Sequence, residues 1–224
     1  MTLPTVLHTR VAPSPTGEAH VGTAYVALFN RAAAKNSGGS FTLRVEDTDS
    51  KRTVEGAETR LTQALEWLGL TPDASPSKGG PHGPYRQSER LALYREAAWK
   101  LVDAGVAYPS FETSEELTAL RDQMQQTGEH ILRLPSREID PETAKARANS
   151  GEKHVIRLKA PLEGTVTIQD LVRGDVTFNC SEIDDKVLIK EDGGATYHMA
   201  ATFDDRAMGI NLVVRAEEWL TSTP

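Results

Sequence analysis

The sequence predicts an α/β fold with a parallel sheet, interrupted by a smaller inserted α+β region, and three observations predict it. Strand-like and helix-like stretches alternate from Val6 to Leu68, the order that strands joined by crossover helices produce. That rhythm gives way after residue 106 to short alternating segments separated by turn residues. It returns near residue 191 with a helix and an apolar strand-like run. The expected boundaries are 1–106 for the first half of the α/β domain, 107–190 for the insertion and 191–224 for a second half that is incomplete at its C-terminal end.

Each element has its own reason. Val6 to Val11 reads as a strand that must stop in Ala12-Pro13-Ser14-Pro15-Thr16-Gly17, because two prolines and a glycine forbid regular structure there. Val21, Ala24, Tyr25, Leu28 and Phe29 recur at helical spacing until Ser37-Gly38-Gly39. Phe41 to Val45 alternates like a strand, and Val54, Ala57, Leu61, Ala64, Leu65 and Leu68 mark the next helix. The Pro-, Gly- and Ser-rich stretch from Thr71 to Pro84 predicts a long loop before a helix over Ser88 to Asp103. Within the insertion, a helix is expected from Ser114 to about Gln125, then irregular charged sequence. Strands are expected at His154–Lys159, Thr165–Ile168, Val176–Phe178 and Val187–Ile189, the first two joined by a Pro and Gly turn. A helix at Thr196–Met208, a sheet strand at Leu212-Val213-Val214 and a helical stub at Ala216–Leu220 complete the chain, leaving its last crossover unfinished.

With 224 residues, 38% of them hydrophobic and 25% charged, the composition is that of a soluble globular chain. No apolar run approaches the roughly 18 residues of a membrane span, and Met1 to Arg10 shows no secretory leader, so a cytoplasmic protein without membrane contact is expected. The single Cys180 excludes an internal disulfide and any paired-cysteine zinc site; it reads as a small half-buried residue. A net charge of -7 argues against a chain dedicated to nucleic acid by charge alone, although a local basic patch could still touch RNA.

The chemistry-bearing segment is Arg10 to Thr23, a strand end, a rigid turn and a helix N-terminus. Unpaired N–H groups and the positive end of the helix dipole suit a phosphate there. His20 could donate to a phosphate oxygen, and Gly22 removes a side chain where a flat nucleotide would approach the backbone. Neither a Gly-x-x-x-x-Gly-Lys-Ser/Thr loop nor Gly-x-Gly-x-x-Gly after a strand is present. Taken singly, Arg10 and Arg215 also fit surface ion pairs, Glu46 and Asp47 a solvated turn, and Tyr197 a half-buried core position.

Ala12-Pro13-Ser14-Pro15-Thr16-Gly17 with His20-Val21-Gly22-Thr23 resembles the ATP-binding signature of class I aminoacyl-tRNA synthetases, in the form found in glutamyl-tRNA synthetases. Arg44 to Asp49, Gly83 to Arg90, Thr196-Tyr197-His198 and Val214 to Trp219 resemble the same family in the same order, so the resemblance spans nearly the whole chain. It implies a Rossmann-like nucleotide-binding domain, with an inserted subdomain that contacts the acceptor end of tRNA. The implied reaction is ATP-dependent activation of L-glutamate to its adenylate, followed by ligation to tRNA(Glu). By the same resemblance Arg10 and Arg215 bind the substrate side-chain carboxylate, Glu46 takes the α-ammonium, and Ser14, Tyr197 and the Ala12 backbone line the amino acid. His20, Gly22, Thr23 and Glu218 hold ATP, with His20 and Gly22 nearest the chemistry. Lys51-Arg52 fits a tRNA phosphate contact or solvated charge equally, and Arg52 is the tRNA candidate. Mg²⁺ is expected to arrive with ATP rather than at Asp47 and Asp49; no zinc is expected, and a monomer is expected.

Two departures from the family pattern stand out. Ala201 occupies the position where the family has Asn, which removes one polar contact to the amino acid. No KMSKS-like lysine loop and nothing resembling an anticodon-binding domain occurs before Pro224, so a truncated catalytic portion is expected, weak or inactive alone. The competing readings are a glutamyl-queuosine tRNA synthetase and a non-catalytic glutamate- or nucleotide-binding remnant. Tyr108 to Thr113 lacks the cysteines common in the first.

Overall fold

The structure, a computed structural model, describes residues 4–17, 19–49, 52–128 and 133–224. They form two compact units, one comprising the chain up to Leu91 with Ala200–Leu220, the other Ala92–Met199 with Thr221–Pro224.

In the first unit, strand β1 (Thr9–Val11) pairs in parallel with β2 (Phe41–Leu43), Arg10 lying opposite Thr42. Helix α1 (Val21–Ser37) makes the crossover and closes at Gly38, whose φ of 72° is left-handed and suits glycine. Helix α2 (Ala57–Trp67) follows β2. Val11, Ala27, Ala34, Phe41, Leu43, Leu61, Leu65 and Leu70 form one buried cluster across these elements. The buried face of α1 carries Ala27, Asn30 and Ala34, whereas Val21, Tyr25, Leu28 and Phe29, whose spacing marks the helix, are exposed. Small residues face β1 and β2 because they let the helix backbone approach the strands closely; Tyr25 and Phe29 pack edge to face on each other instead, 4.9 Å apart.

The predicted loop from Thr71 to Pro84 is tied to β2. Leu43 N donates to Ala74 O at 2.9 Å, and Val45 exchanges bonds with the next segment, donating to Tyr85 O at 2.9 Å and accepting from Gln87 N at 3.0 Å. At the other edge, Leu212-Val213-Val214 does not form the predicted strand. The Val214 carbonyl accepts from the buried Asn30 amide at 3.1 Å, so it is not offered to a backbone ladder. Side chains likewise shorten the first predicted strand: Leu7 N donates to Ser37 Oγ at 2.9 Å and His8 N to Asn211 Oδ1 at 2.7 Å. The expected stub at the end of the chain is a 3-10 turn, Glu217–Ser222.

The boundary between units falls at the start of helix α3 (Leu91–Asp103) and within helix α6 (Tyr197–Ala207). In the second unit β3 (Ala107–Ser110), β4 (Val155–Leu158) and β7 (Val187–Ile189) form an antiparallel sheet in the order β3-β4-β7. Pro109 is tolerated because β3 is an edge strand. Strands β5 (Thr165–Asp170) and β6 (Gly174–Asn179) pair only with each other among the described residues, so β4 and β5, adjacent in sequence, do not pair. Helix α4 (Ser114–Thr127) opens with a reciprocal cap between Thr113 and Glu116. Helix α5 (Pro141–Asn149) lies in the stretch expected to be irregular; Asp140 caps it by accepting from Thr143 N at 3.0 Å, with Pro141 at its first position.

A buried acid holds this second unit together. Asp185 is 3% exposed and accepts from Tyr108 Oη at 3.0 Å, Arg133 Nη1 at 3.0 Å, Arg137 Nη1 at 2.8 Å and Ala160 N at 3.0 Å. Burial and the Asp185 charge together push the Tyr108 hydroxyl far above its ordinary value, so it remains the donor. Asp185→Ala would leave two arginines without their carboxylate, and a loss of about 3–5 kcal/mol is expected. Urea denaturation followed by circular dichroism would show it as a lowered midpoint; an unchanged midpoint would mean the network contributes nothing net.

Candidate functional site

The C-terminal ends of β1 and β2 point their following loops to the same side, where open parallel sheets place ligands. Backbone bonds lace these loops together: Arg44 N donates to Val11 O at 3.0 Å, Glu46 N to Pro13 O at 3.1 Å and Val54 N to Pro15 O at 2.9 Å. The turn from Ala12 to Gly17 is thus held from three points, with Ala12 half-buried and Ser14 exposed on it.

Behind the turn lies a buried charge network. Arg10 gives its Nε and Nη2 to the two oxygens of Asp205, each at 3.1 Å. Arg44, fully buried, gives Nη1 to Asp205 at 2.6 Å and Nη2 to Glu46 at 3.2 Å. Its Nε makes no hydrogen bond but stands 3.7 Å from Asp204 Oδ2, close enough for charge attraction. Asp204 is itself held by Arg90 Nε at 2.7 Å and Gln87 Nε2 at 3.1 Å. Three arginines therefore meet three carboxylates.

The protonation states follow from this arrangement. Burial pulls Arg44 toward losing its proton, but Asp205, Glu46 and Asp204 outweigh it and hold the proton more firmly than usual. Burial likewise works against the Asp205 charge, yet Arg10 and Arg44 bring that carboxyl below its ordinary range. For Glu46 burial wins and raises the value, although Arg44 and Arg10 pull the other way. A cation placed against Glu46 would find a carboxylate that is only partly neutralised by Arg44.

His20 is the N-cap of α1, and its Nδ1 accepts from Gly22 N at 3.2 Å. That bond requires Nδ1 without a proton and leaves Nε2–H, in the neutral ring, as an exposed donor. A Cβ at Gly22 would meet the His20 ring at 3.0 Å, so the glycine here makes room for the histidine itself. Thr23 follows half-buried in the first turn of α1 and donates its N–H to His20 O at 3.1 Å.

Asp47 accepts from Ser88 N at 2.8 Å and Ser88 Oγ at 2.6 Å, so it caps the chain entering α3. Arg215 is half-buried and Glu218 is exposed at the end of the first unit. Arg52 is exposed beside Asp49, whose carbonyl takes its N–H at 3.1 Å; Lys51 lies outside the described residues. Tyr197 belongs to the second unit, its ring edge-on to His198 at 5.6 Å, and Ala201 is buried in the first. No group of three or more His, Cys, Asp or Glu that could hold a metal ion occurs among the described residues.

Residues 6–224 match the family of class I tRNA synthetases (E and Q), catalytic domain. The chain belongs to that family. It is 56% identical over 216 residues to a glutamate–tRNA ligase of Deinococcus radiodurans, covering 96% of this chain and 44% of that protein. A glutamate–tRNA ligase of Thermus thermophilus is 55% identical with 96% and 45% covered. Among solved structures, a glutamate tRNA ligase from Elizabethkingia meningosepticum in complex with its amino acid superposes with a TM-score of 0.87 at 41% identity, covering 96% of this chain and 45% of that one. The chain thus spans less than half the length of the relatives it matches. The expected α/β class with a parallel sheet is the class of this catalytic domain.

The sequence motifs contain Arg44, Gln87 and Arg90 without giving them a role, and they do not include Asp204 or Asp205. The available clue was Asp204, four residues from Ala200 and four from Met208, on a stripe where all three are buried. A charge on the core face of a helix asks for a buried partner.

In this synthetase domain the two acids respond oppositely to pH. Asp205, folded below its ordinary 3.8, contributes stability that is complete above that pH and lost as pH falls through the lower folded value. Glu46, raised above 4.5, is disfavoured as an anion, so stability improves as pH falls through its raised value. Glu46→Gln is expected to melt a few degrees above the parent at about pH 7.5 and to match it near pH 4. Calorimetric melting across that range checks this, and a constant difference between the two proteins would refute it.

Proposed function

We propose that this chain is the glutamate- and ATP-binding portion of a glutamate–tRNA ligase, a cytoplasmic enzyme acting as a monomer. The observation that carries the proposal is the juxtaposition of Arg10, with part of its guanidinium unused, and Glu46, a half-buried carboxylate within electrostatic reach of it. Glutamate presents an ammonium and two carboxylates, and only the α-carboxylate must stay free to react. Arg10 and Arg215 pair with the side-chain carboxylate, Glu46 takes the ammonium, and Ser14, Tyr197 and the Ala12 backbone complete the amino-acid site.

ATP, carrying its Mg²⁺ as part of the substrate, lies along the Ala12–Gly17 turn and the start of α1. His20 offers Nε2–H to the phosphates, Gly22 and Thr23 supply the first helical turn, and Glu218 meets the ribose. An α-carboxylate oxygen attacks the α-phosphorus, the bond to the bridging oxygen breaks, and pyrophosphate leaves with that electron pair. The terminal ribose hydroxyl of tRNA(Glu) then takes the glutamyl group and AMP departs. Catalysis is by placement and charge stabilisation.

In the finer organisation proposed, residues 1–106 and 191–224 are two parts of a Rossmann-like domain, and 107–190 form an inserted α+β subdomain for the tRNA acceptor end. Arg52 contacts a tRNA phosphate. Support for this reading over the queuosine-modifying paralogue comes from Tyr108 to Thr113, which lacks the cysteines common there. There Glu112 accepts from Ser110 Oγ at 2.6 Å and Ser136 N at 2.7 Å, closing with hydrogen bonds a stretch that is cysteine-rich in the paralogue.

Arg215→Ala is expected to weaken glutamate binding by about a hundredfold or more, the loss of one charge-assisted fork, while ATP binding changes little. Calorimetric titration of each ligand tests the assignment, and equal loss of both would sink it. Glutamate-dependent exchange between ATP and pyrophosphate, run with and without tRNA on a protein of the relatives' full length containing this chain, tests the reaction. Binding without exchange would leave a glutamate-binding module instead.

A further inference from the structure

A guanidinium carries five N–H bonds in one plane. Asp205 takes the Nε–H of Arg10 and one hydrogen of Nη2, the side-on edge of the fork. Both hydrogens of Nη1 and the outer one of Nη2 make no hydrogen bond among the described residues, so the end-on edge is complete and ready for a second carboxylate. Asp205 also holds Nη1 of Arg44 at 2.6 Å, and Arg44 reaches Glu46 at only 3.2 Å through its other nitrogen. Without Asp205, the nearest remaining anion for Arg10 and Arg44 together would be Glu46. The receptor for the ammonium and the receptor for the carboxylate would then neutralise each other.

We infer that Asp205 is a positioning residue for glutamate: it fixes Arg10 side-on so that the end-on edge meets the substrate carboxylate, and it keeps both arginines off Glu46. This rests on the assignment of Arg10 and Glu46 to glutamate made above. Asp205 itself touches no substrate. Its position in α6, one residue after the buried Asp204, lets one helical turn serve the fold with one acid and the ligand with the next.

Asp205→Glu is the deciding variant, since it keeps the charge that the arginines need but moves the carboxylate by roughly 1.5 Å, one bond length. Isothermal titration of the 224-residue chain is expected to show the Kd for glutamate rising about tenfold or more, as displacement of a positioned group does, with the Kd for ATP within about threefold of the parent. The thermal midpoint should stay within a few degrees. Asp205→Asn, where it folds, should lose at least as much glutamate affinity with ATP binding again retained. Glutamate binding equal to the parent in Asp205→Glu overturns the inference. So does a parallel loss of both ligands, which is what an acid of purely structural importance would give. A parent chain that binds no glutamate, or an Arg10→Ala chain that binds it normally, overturns the reading of the site and the inference with it.

Discussion

Arg44 is a guanidinium with no access to water, and the first unit is organised around neutralising it. A buried cation costs several kcal/mol unless anions and hydrogen bonds surround it. Here the anions come from the loop after β2, as Glu46, and from α6, as Asp204 and Asp205. The need to pair one side chain thus brings a segment near residue 205 to the ends of strands at residues 10 and 43. Of these carboxylates Asp205 also orients Arg10, so the candidate site shares its support with a requirement of the core.

This sharing bears on the loops between β1 and α1 and beyond β2, which hold the candidate site. Loops at a sheet edge move unless something ties them down. Three backbone bonds lace the two loops, and charge pairs lie directly behind them. A site so supported needs little rearrangement to receive a charged ligand, which is the economical way to position reacting groups.

Much of this was legible in the sequence, and the parts that were not have physical reasons. Helices α1, α2, α3, α4 and α6 follow from periodicity, because each has a long enough pattern, and strands β4 to β7 from short β-branched and apolar runs between turn residues. The face of α1 was not legible: Val21, Tyr25, Leu28 and Phe29 point outward while Ala27 and Ala34 point inward, and periodicity alone does not say which stripe meets a sheet. Helix α5 was obscured because only Ala144 and Ala148 are buried on it, and alanine is a faint apolar marker; the Asp140-Pro141 start was the better clue. The failed strand at Leu212-Val213-Val214 shows side-chain amides competing for backbone groups, which no local pattern encodes. In the site, Arg10, His20, Gly22 and Glu46 were named from motifs, whereas Asp204 and Asp205 were hidden inside an ordinary helix.

Helix α6 begins in the second unit and carries Asp204 and Asp205 into the first. A helix turns 100° per residue, so one residue gained or lost between the buried Ala200 and Asp204, both in the first unit, would take the acids off the face that Ala200 buries. The lineage of this domain should therefore tolerate almost no length variation from Ala200 to Asp205, making that part of α6 a natural fixed point for aligning its relatives.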